Sequence, residues 1–169
     1  EVGSRGLGDV YKRQALTGPV TLDTDITIDA DANNTSVTFN STATVNSDDA
    51  STKRDLTIDT GAGAVAMQGI IGGSVALDAI SINSATTGAG TVEVANIAGA
   101  AGTVAIGNGS TATLTLDGTT YTSTGSQTYK GASGGSNIVI SGTAPTFTTT
   151  NTAIEFNTSD VTLSNNGTT

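Results

Sequence analysis

The chain has 169 residues, of which 36% are hydrophobic, 12% charged and 4% aromatic, with no tryptophan, histidine or cysteine. The absence of His and Cys excludes a His-based catalytic triad, a thiol nucleophile and His- or Cys-ligated metal. The net charge of −9 and the lack of a basic stripe argue against nucleic acid as a partner. No long apolar run of the kind that crosses a bilayer is present, so no membrane-spanning segment is predicted.

The first part of the chain, residues 1–14, differs from the rest. It reads EVGSRGLGDVYKRQ and carries three of the six basic residues. It resembles translated read-through of a sequencing adapter, so we interpret it as a non-native or disordered leader and place the domain at residues 15–169. Because the leader lacks the apolar centre of a signal peptide, we expect any export signal to lie upstream and the chain to be a fragment.

A tetrapeptide recurs through the rest of the chain: an apolar residue, any residue, an apolar residue, then Asp or Asn. Nine copies begin at Val20, Ile26, Val37, Ala43, Leu56, Val75, Ile80, Leu114 and Ile154. Apolar residues at i and i+2 point to one face of a strand, and a β-branched Thr between them suits the other face. Asp or Asn then ends the strand, because it tolerates left-handed backbone. The pattern predicts many short strands and no helix.

The spacing of the strands predicts how they assemble. The main strand starts recur at fairly even intervals, at Val20, Val37, Leu56, Val75, Val92, Leu114, Ile138 and Ile154. A repeat of roughly 20 residues is typical of an all-β, single-stranded parallel β-helix, a β-solenoid, in which each coil buries its apolar residues against the next. We predict about 7–8 coils, uncapped at both ends. An antiparallel immunoglobulin-type sandwich is the rival fold, but it normally needs large core aromatic residues, which are scarce here.

Three features resemble a known class of proteins: the repeated tetrapeptides, the stretch GSQTYKG at residues 125–131 and the Ala/Gly-rich connection at residues 96–102. They resemble the repeat regions of filamentous haemagglutinin-like large exoproteins and autotransporter passengers. The resemblance implies a right-handed β-helix that is secreted or displayed outside a bacterium, most often a Gram-negative one. It also implies a structural or adhesive stalk, not an enzyme, with a role in adhesion or biofilm. The expected partners are neighbouring coils of the parent chain and glycans or other surfaces.

Threonine at the middle of the tetrapeptides offers an alternative function. Regular hydroxyl arrays on a flat solenoid face can bind glycans or match ice. The candidate binding residues are Thr21, Thr27, Thr38, Thr44 and Thr57. The same central position holds Ala76, Ser81, Glu93 and Ala105 later in the chain, which favours simple strand propensity on a solvent face.

Acidic residues offer two further candidates. Asp23, Asp25, Asp29 and Asp31 flank two strands and could bind Ca²⁺ through oxygen ligands, although solvated turn carboxylates are the simpler interpretation and no cofactor is expected. The mixed charges of residues 48–55 (Asp48, Asp49, Lys53, Arg54 and Asp55) could serve a polysaccharide-active enzyme, with a basic residue abstracting a proton. We expect instead an exposed loop with weak ion pairs.

Overall fold

The structure is a computed structural model that describes residues 13–85, 88–133, 136–158 and 160–163. Within these residues the chain is all-β, with one helical segment, the short 3-10 turn Asp31–Asn33. Every strand pairing is parallel, and paired strands come from successive passes of the chain. The protein is therefore a parallel β-solenoid, as the sequence predicts, and the antiparallel sandwich is wrong.

Each turn of the solenoid contributes a strand to each of three faces. The first face contains β1 (Arg13–Leu16), β4 (Ser36–Phe39), the start of β7 (Val65–Ile71), the start of β9 (Thr91–Ala100), β11 (Thr113–Leu116), β14 (Ser136–Ile140) and β17 (Asp160–Leu163). The second face contains β2 (Val20–Leu22), β5 (Val45–Ser47), the ends of β7 and β9, β12 (Thr120–Ser123) and β15 (Thr146–Thr148). The third face contains β3 (Ile26–Asp29), β6 (Leu56–Asp59), β8 (Ile80–Ile82), β10 (Val104–Ile106), β13 (Gln127–Lys130) and β16 (Ile154–Asn157).

The turns are longer and fewer than the sequence predicts. On the first face Val37 pairs with Val65, and the chain visits the other two faces between these residues. The seven first-face strands give about six turns, not 7–8. The predicted repeat was too short because it counted strands from different faces as one series: Leu56, for example, lies on the third face. The predicted strand at Val75 forms only an isolated bridge at Leu77.

The apolar core is a column that runs the length of the solenoid. Residues at one register position stack directly, turn upon turn, as the buried series Val37, Val65, Val92, Leu114 and Ile138 shows. Burying such a side chain contributes about 1.5–3 kcal/mol. Because each turn inserts only one or two residues per face, the column forms only when turns stack.

Aromatic side chains continue the column in the last turns. Tyr121 stacks on Phe147 with ring centroids 4.7 Å apart, and Tyr129 stacks on Phe156 at 5.1 Å. Edge-to-face contacts join the two stacks, with Tyr121 and Tyr129 6.2 Å apart. Four of the aromatic residues thus share one cluster, which the sequence, with few aromatic residues far apart in the chain, did not predict.

A buried glutamine accompanies the aromatic cluster. The Gln127 side-chain amide donates to the carbonyl oxygens of Tyr121 and Thr148, both at 2.9 Å, and its oxygen accepts from the Tyr129 hydroxyl at 3.0 Å. The described part of the chain has no buried side-chain nitrogen or oxygen without a partner. The polar group is thus compatible with the core, because every hydrogen bond lost from water is replaced.

The corners between faces bring backbone from successive turns into close contact. A Cβ atom at Gly118 would overlap the carbonyl of Ala95 in the preceding turn, and one at Gly142 would overlap the carbonyl of Gly118. At these two positions any side chain would force the turns apart. The high glycine content therefore has a specific structural cause at the corners.

Asp and Asn side chains tie one turn to the next at other corners. The Asp25 carboxylate accepts the Asp55 N–H at 3.0 Å, and the Asp55 carboxylate accepts the Ala79 N–H at 2.9 Å. Asn46 and Asn96 each accept two N–H groups from the following turn. Of these four residues only Asn46 is the fourth residue of a tetrapeptide, and Asp25 and Asp55 each precede one, so the residues that tie turns together are mostly not the ones that the tetrapeptide pattern singled out.

Candidate functional site

The five predicted threonines do not form one array. Thr27 and Thr57 are register neighbours on the third face. Thr38 lies on the first face, Thr21 on the second, and Thr44 just before β5. Only one pair of the five, Thr27 and Thr57, are therefore register partners.

The third face shows how far a threonine column extends. After Thr27 and Thr57, the same outward position is occupied by Ser81, Ala105 and Thr128 in successive turns, and then by Glu155. The hydroxyl series breaks after three turns. A flat surface that matches ice or a repeating glycan would need an unbroken series, so this column offers a short hydroxyl patch only.

The four candidate calcium ligands are held apart by strand β3. Asp25 precedes β3 and Asp29 ends it, so about 13 Å of extended backbone separates them. One Asp25 oxygen accepts the Asp55 N–H, and Asp29 accepts the Asp31 N–H at 3.3 Å. In the described ranges, no group of three or more Asp, Glu, His or Cys side chains is placed to hold a metal ion.

The carboxylates near the end of β3 repel one another, and this repulsion affects a pKa. The negative charge of Asp29, two positions earlier, raises the pKa of Asp31, and Asp59 of the next turn adds to the effect. Asp29 and Asp59 are register partners on the third face, so stacking itself brings the three carboxylates towards each other. Asp23 lies apart, in the turn after β2.

The charged loop between β5 and β6 is held by its own side chains. Arg54 binds Asp48 through two contacts, Nε to Oδ1 at 2.8 Å and Nη2 to Oδ2 at 3.2 Å. Asp49 accepts the N–H groups of Ser51 and Thr52, which makes it the cap of a tight turn. Lys53 donates to the Ala50 carbonyl at 2.7 Å.

The same hydrogen bonds shift the pKa values of two aspartates in this loop. The hydrogen bond from Arg54 lowers the pKa of Asp48, and the two backbone N–H donors lower the pKa of Asp49. Both groups are therefore stabilised as carboxylates. A catalytic acid or base at neutral pH usually has its pKa shifted towards neutrality, the opposite direction for a carboxyl group. Each charged contact described here already has a structural role in the loop.

The N-terminal end of the solenoid contains an apolar cavity. It measures about 220 Å³ and is lined mainly by side chains of β1, β2 and β3 and of the second turn, including Leu16, Val20, Leu22, Ile26 and Phe39. Thr21 and Asp23 are the only polar residues among those that line it. The sequence predicts uncapped ends but no cavity, because the cavity is formed by residues of the first two turns that meet only when the turns stack.

The C-terminal end exposes apolar residues at inward register positions. Ile154, Val161 and Leu163 are 37%, 40% and 77% exposed, whereas the register partners of the last two in β14, Ile138 and Ile140, are buried. Phe147 and Phe156 are half-buried and complete this surface. The two ends, more than the side faces, are where apolar surface is accessible.

The predicted start of the domain at Ala15 falls inside β1, which begins at Arg13; residues 1–12 lie outside the described residues. No helix in the described segments is long and apolar enough to cross a membrane. A scan of protein-family models, a search of curated proteins and a search of solved structures each find no match to this chain.

Proposed function

We propose that this chain is a segment of the shaft of a large adhesin-like protein, secreted by a bacterium or displayed on its surface. The observation that carries the proposal is the continuous stack: strands pair with the turn before and the turn after on all three faces, from β1 to β17. Such a stack is a rod whose hydrogen bonds run along its axis.

The dimensions of the stack suit a stiff spacer. Neighbouring strands lie about 4.8 Å apart, so six turns extend about 30 Å along the axis. An extended chain would cover that distance with about nine residues. The solenoid therefore uses many residues for little length, and what it gains is stiffness. A long shaft built this way requires many turns, which fits a large parent protein.

The outward side chains support a surface-exposed location. The outward column of the third face is mostly Thr and Ser, and small polar residues of this kind suit a solvated shaft. The lack of Cys in the sequence means that stability relies on stacking, not on disulfides. Adhesion and a Gram-negative host are the part of the proposal that rests on the family resemblance.

Location can be tested directly on cells that encode this chain. Antibodies raised against the purified chain are applied to intact cells, to permeabilised cells and to the culture supernatant. The proposal predicts labelling of intact cells, or antigen in the supernatant, and loss of the surface signal after external protease. Labelling that appears only after permeabilisation, with no antigen outside, would contradict it. Antibody against a cytoplasmic marker is the control for cell integrity.

A further inference from the structure

One corner of the solenoid, where the chain leaves the third face, is held by buried polar side chains from three turns. Thr60 follows β6, Asn83 follows β8 and Asn108 comes shortly after β10, and all three are buried. The Asn83 side chain accepts the Thr60 N–H at 2.8 Å and donates to the Thr60 hydroxyl at 2.9 Å. The Asn108 side-chain amide donates to the Asn83 carbonyl oxygen at 2.7 Å. At this corner, side-chain amides therefore donate from one turn to the turn before it.

The Asn108 amide has a second property, because the next residue is glycine. The side-chain amide of Asn is thermally labile. It is most labile before glycine, since the backbone nitrogen of a residue without a side chain can approach the Asn Cγ atom. In the described part of the chain, residues 108–109 are the only Asn-Gly pair; the other pair of the sequence, residues 166–167, lies outside it. A Cβ atom at Gly109 would have no atom within 4 Å, so the space beside this peptide is open.

The local hydrogen bonds favour a reaction between this amide and the peptide that follows it. The Asn108 Oδ1 atom accepts the Ser110 N–H at 2.7 Å, and the ring closed by this bond includes the Gly109 nitrogen. A donor on Oδ1 polarises the Cγ atom towards a nucleophile. Among the described residues, the Gly109 N–H makes no hydrogen bond that would hold its nitrogen away.

Other contacts restrain the carboxamide while the corner is closed. The Asn108 N–H donates to the hydroxyl of buried Thr111 at 2.9 Å, and the Thr111 N–H donates back to the Asn108 carbonyl oxygen at 3.1 Å. Together with the bond to Asn83, these contacts fix both the backbone and the side chain of Asn108. The Gly109 nitrogen therefore reaches Cγ only when residues 108–111 open locally.

We propose that Asn108 is a site of spontaneous deamidation, which proceeds when this corner opens and whose products prevent the corner from closing again. The Gly109 nitrogen loses its proton to solvent and bonds to Cγ of Asn108. The side-chain nitrogen takes a proton from water and leaves as ammonia, which gives a cyclic imide. Water then opens the imide, at Cγ to give aspartate or at the main-chain carbonyl carbon to give isoaspartate. A water molecule is consumed, an ammonia molecule is released, and nothing is oxidised or reduced.

Neither product fits the closed corner. An aspartate at this position has no donor for the Asn83 carbonyl oxygen, and its carboxylate is a buried charge beside that oxygen. Isoaspartate lengthens the main chain next to Gly107, where successive turns already touch: a Cβ atom at Gly107 would overlap the Lys130 carbonyl. The reaction is therefore one-way and leaves the link between these turns broken.

Peptide mass spectrometry of the purified full chain, sampled during long incubation in mildly alkaline buffer, tests the site. Asn108 should convert before any other Asn of the described residues, to a mixture of aspartate and isoaspartate. Gly109→Ala should lose this early conversion, because its methyl group hinders the attacking nitrogen, while the open space at this position leaves the fold unchanged. Conversion of other Asn residues first, or equal conversion in Gly109→Ala, would overturn the proposal.

A variant of the restraining contact tests whether opening of the corner controls the reaction. Thr111→Val keeps the shape of the side chain and removes the acceptor of the Asn108 N–H. Loss of such a bond shifts the opening equilibrium by about 1.4 kcal/mol, so deamidation should be roughly tenfold faster. Thr115→Val is the matched control, since the Thr115 side chain is half-buried and makes no hydrogen bond among the described residues. Equal rates in the two variants would reject control by opening.

A matched pair of substitutions tests the effect of the product. Asn108→Asp removes an amide that donates, whereas Asn46→Asp makes the same change at a side chain that only accepts, from Ser74 and Val75. Asn108→Asp should lower the midpoint of thermal unfolding clearly more than Asn46→Asp. The deamidated fraction of the unaltered chain, separated by ion exchange, should show the same loss, and it keeps the test valid if Asn108→Asp does not fold. A deamidated fraction as stable as the intact chain would show that the corner closes over the product and would reject the one-way step.

Discussion

The first and last turns of this solenoid have the same backbone plan but different cores. In the early turns the inward columns are mostly aliphatic, as with Leu56, Ile58, Ile80 and Ile82 on the third face. In the last turns the same columns hold the aromatic cluster and the buried Gln127. The difference shows that strand register and turn-to-turn hydrogen bonding define the fold, whereas the inward side chains need only fill the space and satisfy their polar atoms.

The largest expected effect tests whether truncating an aromatic residue of the core destabilises the protein more than truncating an aliphatic one. Tyr121 and Ile97 hold equivalent positions in adjacent turns. We expect Tyr121→Ala to lower the free energy of unfolding by about 4 kcal/mol and Ile97→Ala by about 3 kcal/mol, because the larger ring leaves the larger cavity. Denaturant titration followed by circular dichroism measures both.

A conservative variant separates the ring of Tyr121 from its hydroxyl. The hydroxyl donates to the Val94 carbonyl and accepts the Gly118 N–H, both at 2.9 Å. Tyr121→Phe should therefore cost about 1–2 kcal/mol, because the Gly118 N–H loses its partner and the Val94 carbonyl keeps only the long bond from the Asp117 N–H at 3.4 Å. A loss equal to that of Tyr121→Ala would mean that the hydrogen bonds, not the ring packing, dominate.

The next effect concerns the corners between faces, where glycine allows the backbones of successive turns to lie in close contact. Gly118→Ala should cost about 3 kcal/mol, because the new methyl group overlaps the Ala95 carbonyl and the two turns must separate. Gly109→Ala is the matched control: no atom lies within 4 Å of its Cβ position, so the change should be within about 0.5 kcal/mol. Thermal unfolding compares the two, and equal melting temperatures would refute close packing at this corner.

A smaller effect tests whether an Asn side chain that accepts backbone N–H groups of the next turn contributes equally in the early and the late turns. Asn46 in the early part accepts the N–H groups of Ser74 and Val75, and Asn96 in the later part accepts those of Thr119 and Thr120. Replacement of either Asn by Ala should cost about 1–2 kcal/mol, and the two losses should agree. Replacement by Asp keeps the accepting oxygen and should cost less. Clearly unequal Ala losses would show that the corners are not equivalent.

The smallest effect is electrostatic and belongs to the early turns. The pKa of Asp48 and of Asp49 is lowered, so their contribution to stability is present above the unfolded pKa and is lost as pH falls through the folded pKa. The pKa of Asp31 is raised by Asp29, so its charge opposes folding and protonation relieves that opposition as pH falls through the raised value.

Carboxyl NMR titration should place Asp31 above the ordinary aspartate pKa, and Asp48 and Asp49 below it. Arg54→Gln should return the pKa of Asp48 towards the ordinary value and leave that of Asp49 lowered, because backbone N–H groups hold Asp49. An unchanged pKa of Asp48 in this variant would mean that Arg54 does not cause the lowered pKa.

Particular residues show what sequence patterns could and could not predict about the strands. The tetrapeptides at Ile26 and Leu56 became strands of matching extent, because alternation of apolar and polar residues specifies a strand locally. The tetrapeptide at Ala43 began its strand late, at Val45, and that at Val75 formed only a bridge. Strand length depends on the neighbouring turn as well as on the local pattern.

The candidate sites were less predictable than the strands. The sequence suggested that Asp23, Asp25, Asp29 and Asp31 could together bind Ca²⁺, but strand β3 places Asp25 and Asp29 at its opposite ends. Thr27 and Thr57 became neighbours only because their separation in the chain equals one full turn at that point. Which side chains meet depends on turn length, and turn length varies with each connecting loop.

The sequence by itself determined that this protein is all-β, parallel and stacked, since short alternating strands without large core residues can bury apolar surface only against further turns. It also identified the residues that face inward at most strands. Only the tertiary structure decided the turn length, the assignment of strands to three faces and the convergence of four aromatic rings. The reason is physical: inward and outward alternation is encoded within a strand, whereas register between turns is set by contacts that are one whole turn apart.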